Sequence, residues 1–173
     1  ELDRPYAGVE FDVARKSGPV AATARDTLQA HHIAIVTNGG VRKLTHLNED
    51  LAAKAMAQVQ KLPVTSSVDQ WPIDAWMVTP PDFDPAKKYP LILEIHGGPF
   101  AAYGPAFSTD DQLYAADGYI VRYTNPRGST SYGEQFATFI DKAYPGRDYD
   151  DLMSTVDAAI ASAEGKTLAK AVA

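Results

Sequence analysis

The pattern of hydrophobic and polar positions along this chain changes near residue 60. Before that point the apolar runs are short and typical of β-strands, at 11–14, 20–24, 32–37 and 41–47. The tripeptide Asn38-Gly39-Gly40 predicts the turn that joins the last two of these runs into a hairpin. Asn48 is a candidate N-cap for a short helical turn that begins at Glu49. The first part of the chain is therefore predicted to contain short strands that need neighbouring strands to be stable.

Two further strands are predicted between residues 58 and 79. Positions 58–66 alternate loosely between apolar and polar residues, and positions 73–79 alternate more regularly. A turn is predicted between them at 67–72. The prolines at 80 and 81 end the second strand, because proline cannot donate a hydrogen bond to a strand ladder.

In the second half of the chain, predicted strands and helices alternate. The runs 90–96 and 119–124 predict strands, and helices are predicted at 110–116, 134–143 and 149–163. Ser108 or Thr109 is the candidate cap of the first helix, and Gly118 ends it. This order of elements predicts right-handed crossovers and a sheet with parallel strands.

The last predicted helix carries an apolar face made of Leu152, Val156, Ala159, Ile160 and Ala163. The tail that follows, from Glu164 onward, is simple and rich in alanine, so no strand is predicted there. A series of strands and helices that stops on a helix implies an incomplete sheet.

Composition limits the classes of function that the chain can have. Of its 173 residues 45% are hydrophobic and 22% are charged, which is typical of a globular protein with a packed core. The net charge of −6 argues against a nucleic acid or an anionic membrane as partner. The absence of cysteine excludes disulfides, thiolate zinc sites and a cysteine nucleophile. No apolar run reaches the roughly 18–20 residues of a membrane span.

The compartment is left open by the sequence, since cytoplasmic and periplasmic or secreted proteins can both lack cysteine. The chain begins at Glu1 without a starting methionine and without the pattern of a signal peptide. This start is interpreted as processed, trimmed or internal.

The sequence His96-Gly97-Gly98-Pro99 follows directly on the apolar run that begins at Pro90. In serine hydrolases of the α/β type, a loop in this position supplies one N–H of the oxyanion hole, and glycine leaves such N–H groups accessible. The alternative interpretation is a tight exit from a strand with a structural histidine. In either case His96 is interpreted as a residue that fixes the loop, not as a general base.

The segment Asn125–Gly133 contains a serine between two glycines, but its spacing is G-x-x-S-x-G. A nucleophile elbow requires G-x-S-x-G on a turn from strand to helix, so Ser131 is not predicted to be a nucleophile. Arg127 is instead interpreted as part of an internal salt bridge or hydrogen-bond set. Gly165-Lys166-Thr167 resembles the end of a phosphate loop, but Ile160 stands where that loop needs its first glycine.

The remaining candidates have structural interpretations. No metal site is predicted from His31, His32 and His46, because no acidic residues or cysteines lie at a suitable spacing. Helix capping and the helix dipole account for the acidic cluster Asp148, Asp150 and Asp151. Trp71 and Trp76 could line a binding groove, but packing is the favoured interpretation.

Four segments together resemble the prolyl oligopeptidase family of serine peptidases, in its acylaminoacyl-peptidase and dipeptidyl-peptidase-like branch: Ser66–Asp69, Pro72–Pro81, Tyr89–Pro99 and Asn125–Gly133. Their order and spacing agree with that family, and the resemblance extends from about residue 30 to about residue 163. It implies an α/β fold, with an incomplete α/β-hydrolase sheet preceded by strands from a β-propeller. Residues 1–60 would be the last propeller strands and a connector, and residues 61–173 the N-terminal half of the hydrolase domain.

The resemblance also implies roles for individual residues. Gly98 would donate its N–H to the oxyanion, and Gly97 would serve the geometry of the loop. The family's serine nucleophile and its aspartate and histidine have no counterparts in this sequence. The chain departs locally from the family at Gln70 and Ser131, which stand where the family has glycine.

The first hypothesis is therefore a fragment of a serine peptidase that hydrolyses short peptides through an acyl-enzyme, and that is inactive by itself. Its partners would be a peptide substrate and the remainder of its own polypeptide, with no cofactor, metal, nucleic acid or membrane. One alternative is a non-catalytic α/β binding or interaction module. Another is an esterase-like hydrolase that a second chain completes.

Overall fold

The structure is a computed structural model that describes residues 10–16, 18–37, 40–98 and 100–162, and the backbone alone of 168–172. The chain divides into two compact units. The first consists of Glu1–Met56 with Gly104–Thr109, and the second of Ala57–Tyr103 with Asp110–Ala173.

The first unit contains a four-stranded antiparallel sheet in the order β1-β2-β3-β4. Its strands are β1 (Phe11–Val13), β2 (Val20–Ala24), β3 (His32–Thr37) and β4 (Gly40–Lys43). The predicted strands are thus confirmed, although β4 is shorter than predicted. A short helix, α1 (Glu49–Ala52), follows. The prediction that Asn48 caps this helix is wrong, because its side-chain amide donates instead to the His31 carbonyl oxygen at 3.0 Å.

In the second unit, each of the two strands predicted between residues 58 and 79 is divided into two shorter strands. The predicted run 58–66 consists of β5 (Gln58–Lys61) and β6 (Val64–Thr65), since Pro63 between them lacks an N–H to donate. The run that ends at Thr79 consists of β7 (Pro72–Ile73) and β8 (Ala75–Thr79). β6 and β7 form a small antiparallel pair of their own.

The main sheet of this unit has, within the described residues, five strands in the order β11-β9-β10-β8-β5. β5, β8 and β10 pair antiparallel, whereas β10, β9 and β11 pair parallel. The three strands not yet defined are β9 (Tyr89–Glu94), β10 (Ile120–Thr124) and β11 (Leu168–Val172). The predicted parallel character is confirmed for this half of the sheet.

The expectation that no strand follows the last helix is wrong, because β11 follows α4. It lies parallel to β9, with Val172 opposite Ile92 and a register shift between Leu168 and Lys170. The edge of β9 that faces away from β10 thus has a partner, and the carboxyl ends of β9, β10 and β11 point to the same edge of the sheet.

Helices cover both faces of this sheet. They are α2 (Thr109–Ala116) on one face and α4 (Arg147–Ala161) on the other, and a shorter helix, α3 (Glu134–Thr138), lies between β10 and α4 in the chain. Because side chains alternate along a strand, Val121 of β10 packs with Ala115 of α2, while Ile120 packs on the other face with Val156 of α4. All residues of β8 and β10 are buried as a result.

The predicted apolar face of α4 is confirmed in part. Leu152, Val156 and Ala159 are buried, but Ile160 is 48% exposed and does not belong to that face. Ala163 lies outside the described residues.

Candidate functional site

A cleft of about 210 Å³ lies at the carboxyl ends of β9 and β10. It lies between the loop that follows β9 (residues 95–103, the β9 loop), the loop that follows β10 (residues 125–133, the β10 loop) and the start of α4. Sheets with parallel strands bind ligands at this edge, because the loops that leave neighbouring strands meet there. This cleft is therefore the candidate site in the second unit.

Gly98 is the residue of the β9 loop whose backbone geometry excludes a side chain. Its φ is +139°, and a Cβ at this position would lie 2.7 Å from Phe100 N and 3.2 Å from Ala101 N. Gly97 has open space around the place of a Cβ, and its φ lies outside the left-handed range. The conformational requirement for glycine is therefore at Gly98, which borders the cleft.

The His96 side chain contacts both loops. Its Nε2 lies 2.9 Å from Ser129 Oγ, its Nδ1 lies 3.0 Å from Gly97 O, and its ring meets Tyr103 edge to face at 5.2 Å. These contacts agree with the interpretation of His96 as a loop-fixing residue. Ser129, which sequence reasoning did not single out, has no exposed surface and lies 2.7 Å from Pro126 O.

Arg127 anchors the β10 loop to α4 through a buried ion pair, as the sequence predicted. Its Nε and its backbone N–H donate to Asp151 Oδ2 at 2.8 and 2.9 Å, and Nη2 donates to Asp151 Oδ1 at 2.8 Å. Nη2 also donates to Ser66 Oγ at 3.0 Å, and the guanidinium reaches both carboxylate oxygens of Asp69 at 3.2 Å.

These contacts change the ionisation of both partners. The hydrogen bonds that Arg127 donates to Asp151 and, less strongly, to Asp69 raise the pKa of Arg127 above its ordinary value. The same guanidinium holds the pKa of the partly exposed Asp69 carboxyl below its usual value. Arg127 is therefore charged at pH 7, and the network holds the β10 loop in place.

The acidic cluster at the start of α4 has two different roles. Asp148 accepts a hydrogen bond from Gly146 N–H, and exposed Asp150 lies in the first helical turn, as a dipole and capping interpretation predicts. That interpretation is wrong for Asp151, which is buried against Arg127. Its partner is 24 positions away and could not be inferred from the cluster itself.

The two positions at which the chain departs from the family's glycine both have left-handed backbones. The φ angles of Gln70 and Ser131 are 62° and 77°. Ser131 is exposed in the β10 loop and belongs to no strand-to-helix elbow. Glycine is favoured at both positions because it adopts a left-handed backbone without strain. This chain has glutamine and serine there instead.

The two tryptophans pack against other aromatic rings. Trp71 stacks on Phe136 at 5.9 Å and meets Phe139 edge to face at 5.1 Å. Trp76 stacks on Tyr123 at 5.2 Å. The packing interpretation is confirmed for both.

The remaining candidates are not among the residues that line the cleft. His32 is buried in β3, and exposed His46 pairs with Glu49. Among the described residues there is no group of three or more histidine, aspartate or glutamate side chains that could hold a metal. Gly165-Lys166-Thr167 lies outside the described residues. In the same described part of the chain, no helix has both the length and the apolar character needed to cross a membrane.

Comparison with known proteins gives the family of the chain. Residues 105–167 match the model of the prolyl oligopeptidase family. The sequence is 37% identical over 119 residues to an uncharacterised peptidase of Bacillus subtilis, YuxL, across 69% of this chain and 18% of that protein. The chain belongs to the prolyl oligopeptidase family.

Other peptidases are similar over 47% to 93% of this chain. The dipeptidyl-peptidase 5 of Aspergillus fumigatus is 42% identical over 83 residues, which are 47% of this chain and 12% of that enzyme. The acylaminoacyl peptidase of Pyrococcus horikoshii superposes with a TM-score of 0.81 at 25% identity, over 93% of this chain and 26% of its own. An acylaminoacyl peptidase in complex with Z-Gly-Gly-Phe-chloromethyl ketone superposes with a TM-score of 0.83 at 25% identity, over 93% of this chain and 25% of its own.

This prolyl oligopeptidase family chain thus spans less than a fifth of the two curated relatives and about a quarter of the two solved structures. Its fold is α/β: the main sheet is part of an α/β-hydrolase sheet, and β-propeller strands precede it.

Proposed function

We propose that this chain carries the oxyanion-binding loop of a serine peptidase that hydrolyses short peptides through an acyl-enzyme. In this proposal residues 1–60 are the last strands of a β-propeller with a connector. Residues 61–173 are the N-terminal half of the α/β-hydrolase domain. The geometry of Gly98 is the observation that carries the proposal.

An oxyanion donor must be held in place before charge develops on the substrate. Gly98 meets this requirement, because its positive φ and the lack of room for a Cβ beside Phe100 N and Ala101 N restrict the backbone there to one conformation that glycine adopts. Within the described residues, no group accepts a hydrogen bond from its N–H. Such a donor typically contributes about 10²–10³ in kcat.

The nucleophile comes, in this proposal, from polypeptide outside the given sequence. The 173 residues contain no G-x-S-x-G, and Ser131 has neither the spacing nor the turn of an elbow. The carboxyl end of β11 points to the same sheet edge as the β9 loop, so a turn after that strand would lie at the edge that carries Gly98. The aspartate and histidine of the triad come from the same missing part, and the reaction needs no metal or cofactor.

Labelling with a fluorophosphonate probe tests this function, because the probe reacts with an activated serine. We expect covalent labelling of the full-length natural protein and none of the 173-residue chain. Labelling of the short chain would refute the absence of a nucleophile. An unlabelled, folded full-length protein would refute the serine peptidase and favour a non-catalytic binding module.

Substitution of Gly98 in the full-length protein tests its individual role. A Gly-Gly-Phe 4-nitroanilide is a suitable substrate, since a related acylaminoacyl peptidase binds a Gly-Gly-Phe chloromethyl ketone. Gly98→Ala should lower kcat by roughly 10²–10³ with little change in KM. Gly104→Ala is the matched control, because its Cβ would meet open space and its φ lies outside the left-handed range. An unchanged kcat in a folded Gly98→Ala protein would remove Gly98 from the site.

A further inference from the structure

Contacts between the β9 and β10 loops form a distinct feature of the cleft. Within the described residues there are three such contacts, and they bracket Gly98. The His96 imidazole meets Ser129 Oγ at 2.9 Å, and Thr130 N–H donates to Ala101 O at 3.0 Å. The third contact joins Tyr103 to Asn125.

The contact between Tyr103 and Asn125 is double. Tyr103 N–H donates to Asn125 Oδ1 at 2.8 Å, and Asn125 Nδ2 donates to Tyr103 O at 3.0 Å. Asn125 is almost fully buried, so these bonds are not exchanged with water. The end of the β9 loop at Tyr103 is therefore held by contacts separate from those at His96.

The Ser129 hydroxyl lies between two partners. It donates to Pro126 O at 2.7 Å, and His96 Nε2 lies 2.9 Å from the same Oγ. Because Ser129 has no exposed surface, the histidine ring meets a hydroxyl that is fixed in position.

The Ser129 hydroxyl is fixed because the whole β10 loop is anchored. Arg127 is bound to Asp151, and Gly128 N–H donates to Phe136 O at 2.9 Å. A Cβ at Gly128 would lie 2.4 Å from the Ile140 side chain, so this part of the loop is tightly packed. The fixed position of Ser129 Oγ thus restricts the His96 ring, which lies two residues before Gly98.

We infer that Ser129 is a positioning residue which, through the His96 imidazole, holds the Gly98 N–H toward the cleft. This inference rests on the proposed function, since it assigns the alignment of the oxyanion donor to a residue on another loop. A donor displaced by about 1 Å stabilises the transition state poorly but leaves substrate binding intact.

The test uses the full-length protein and the Gly-Gly-Phe 4-nitroanilide. Ser129→Ala and His96→Ala should each lower kcat by roughly 10–100-fold with KM nearly unchanged, and the double variant should be no worse than the poorer single variant. His96→Gln should recover most of the loss, because its amide places a hydrogen-bonding group near the position of Nε2. Each variant is first checked for folding by its melting temperature.

Ser154→Ala is the matched control. Ser154 is also buried and bonded, to Ser67 N–H and Asp150 O, but it contacts neither loop in the described structure. It should lower the melting temperature without lowering kcat. A Ser129→Ala protein that keeps the kcat of an active wild type would overturn the positioning role alone. A wild type that neither labels nor hydrolyses would overturn the proposed function and this inference with it.

Discussion

The Arg127 guanidinium and the Asp151 carboxylate form a two-point ion pair, with Nε–Oδ2 and Nη2–Oδ1 distances of 2.8 Å each. Both side chains are buried, at 5% and 1% exposure. The pair joins the β10 loop to the first turns of α4, so one interaction supports two of the three elements that border the cleft.

Loss of one partner of this pair should be costly. We expect Asp151→Asn to lower the free energy of unfolding by about 3–5 kcal/mol, because it leaves the Arg127 charge buried without its counter-ion. Asp150→Asn removes the same charge from the same helical turn at an exposed position and should cost at most about 1 kcal/mol. Urea unfolding measures both. Equal losses would favour the helix dipole over the ion pair as the role of Asp151.

The interaction between Asp69 and Arg127 should make stability depend on acidic pH. The pKa of the Asp69 carboxyl is lowered in the folded state, so the contribution is complete above the ordinary value of 3.8 and disappears as pH falls below it. Asp69→Asn should therefore be less stable than the wild type at pH 7. The urea midpoints of the two proteins should converge below about pH 3.8. Midpoints that stay equally far apart down to the acid-unfolded range would contradict this linkage.

The left-handed backbone of Ser131 predicts a stabilising substitution. Ser131→Gly should raise the free energy of unfolding by about 0.5–1 kcal/mol, because relief of the left-handed strain exceeds the entropy that glycine gains in the unfolded chain. Ser131→Ala retains the Cβ and should give no such gain. Thermal unfolding distinguishes them, and a Ser131→Gly protein no more stable than Ser131→Ala would show that the strain is absent.

Replacement of Arg122 should stabilise the fold, whereas loss of the ion pair of Arg127 should destabilise it. It has no exposed surface, and its Nη2 donates to Leu62 O at 2.8 Å, while Nε and Nη1 have no hydrogen-bond partner in the described residues. Burial lowers the pKa of Arg122 to about 10, so the side chain is still charged at pH 7. Arg122→Met should therefore stabilise the fold by about 1–2 kcal/mol. A destabilisation of similar size would show that the guanidinium has a partner.

The sequence predicted those elements of the site that depend on local pattern. An apolar run followed by His96-Gly97-Gly98 correctly located a loop at the carboxyl end of a buried strand. Strand β11 was missed because alanine and lysine are depleted in strands, and only the available edge of β9 accounts for pairing there. The roles of Ser129 and Asp151 were missed because their partners lie 33 and 24 residues away.

The three contacts between the β9 and β10 loops have a consequence for the order in which the chain is assembled. A ribosome that has just added Ala115 has made β9 and the entire β9 loop, but none of the groups that hold that loop: Asn125, Ser129 and Thr130. The shape of the loop around Gly98 is therefore acquired only after β10 has emerged and paired with β9. During synthesis the β9 loop is therefore made before the groups of the β10 loop that fix its shape.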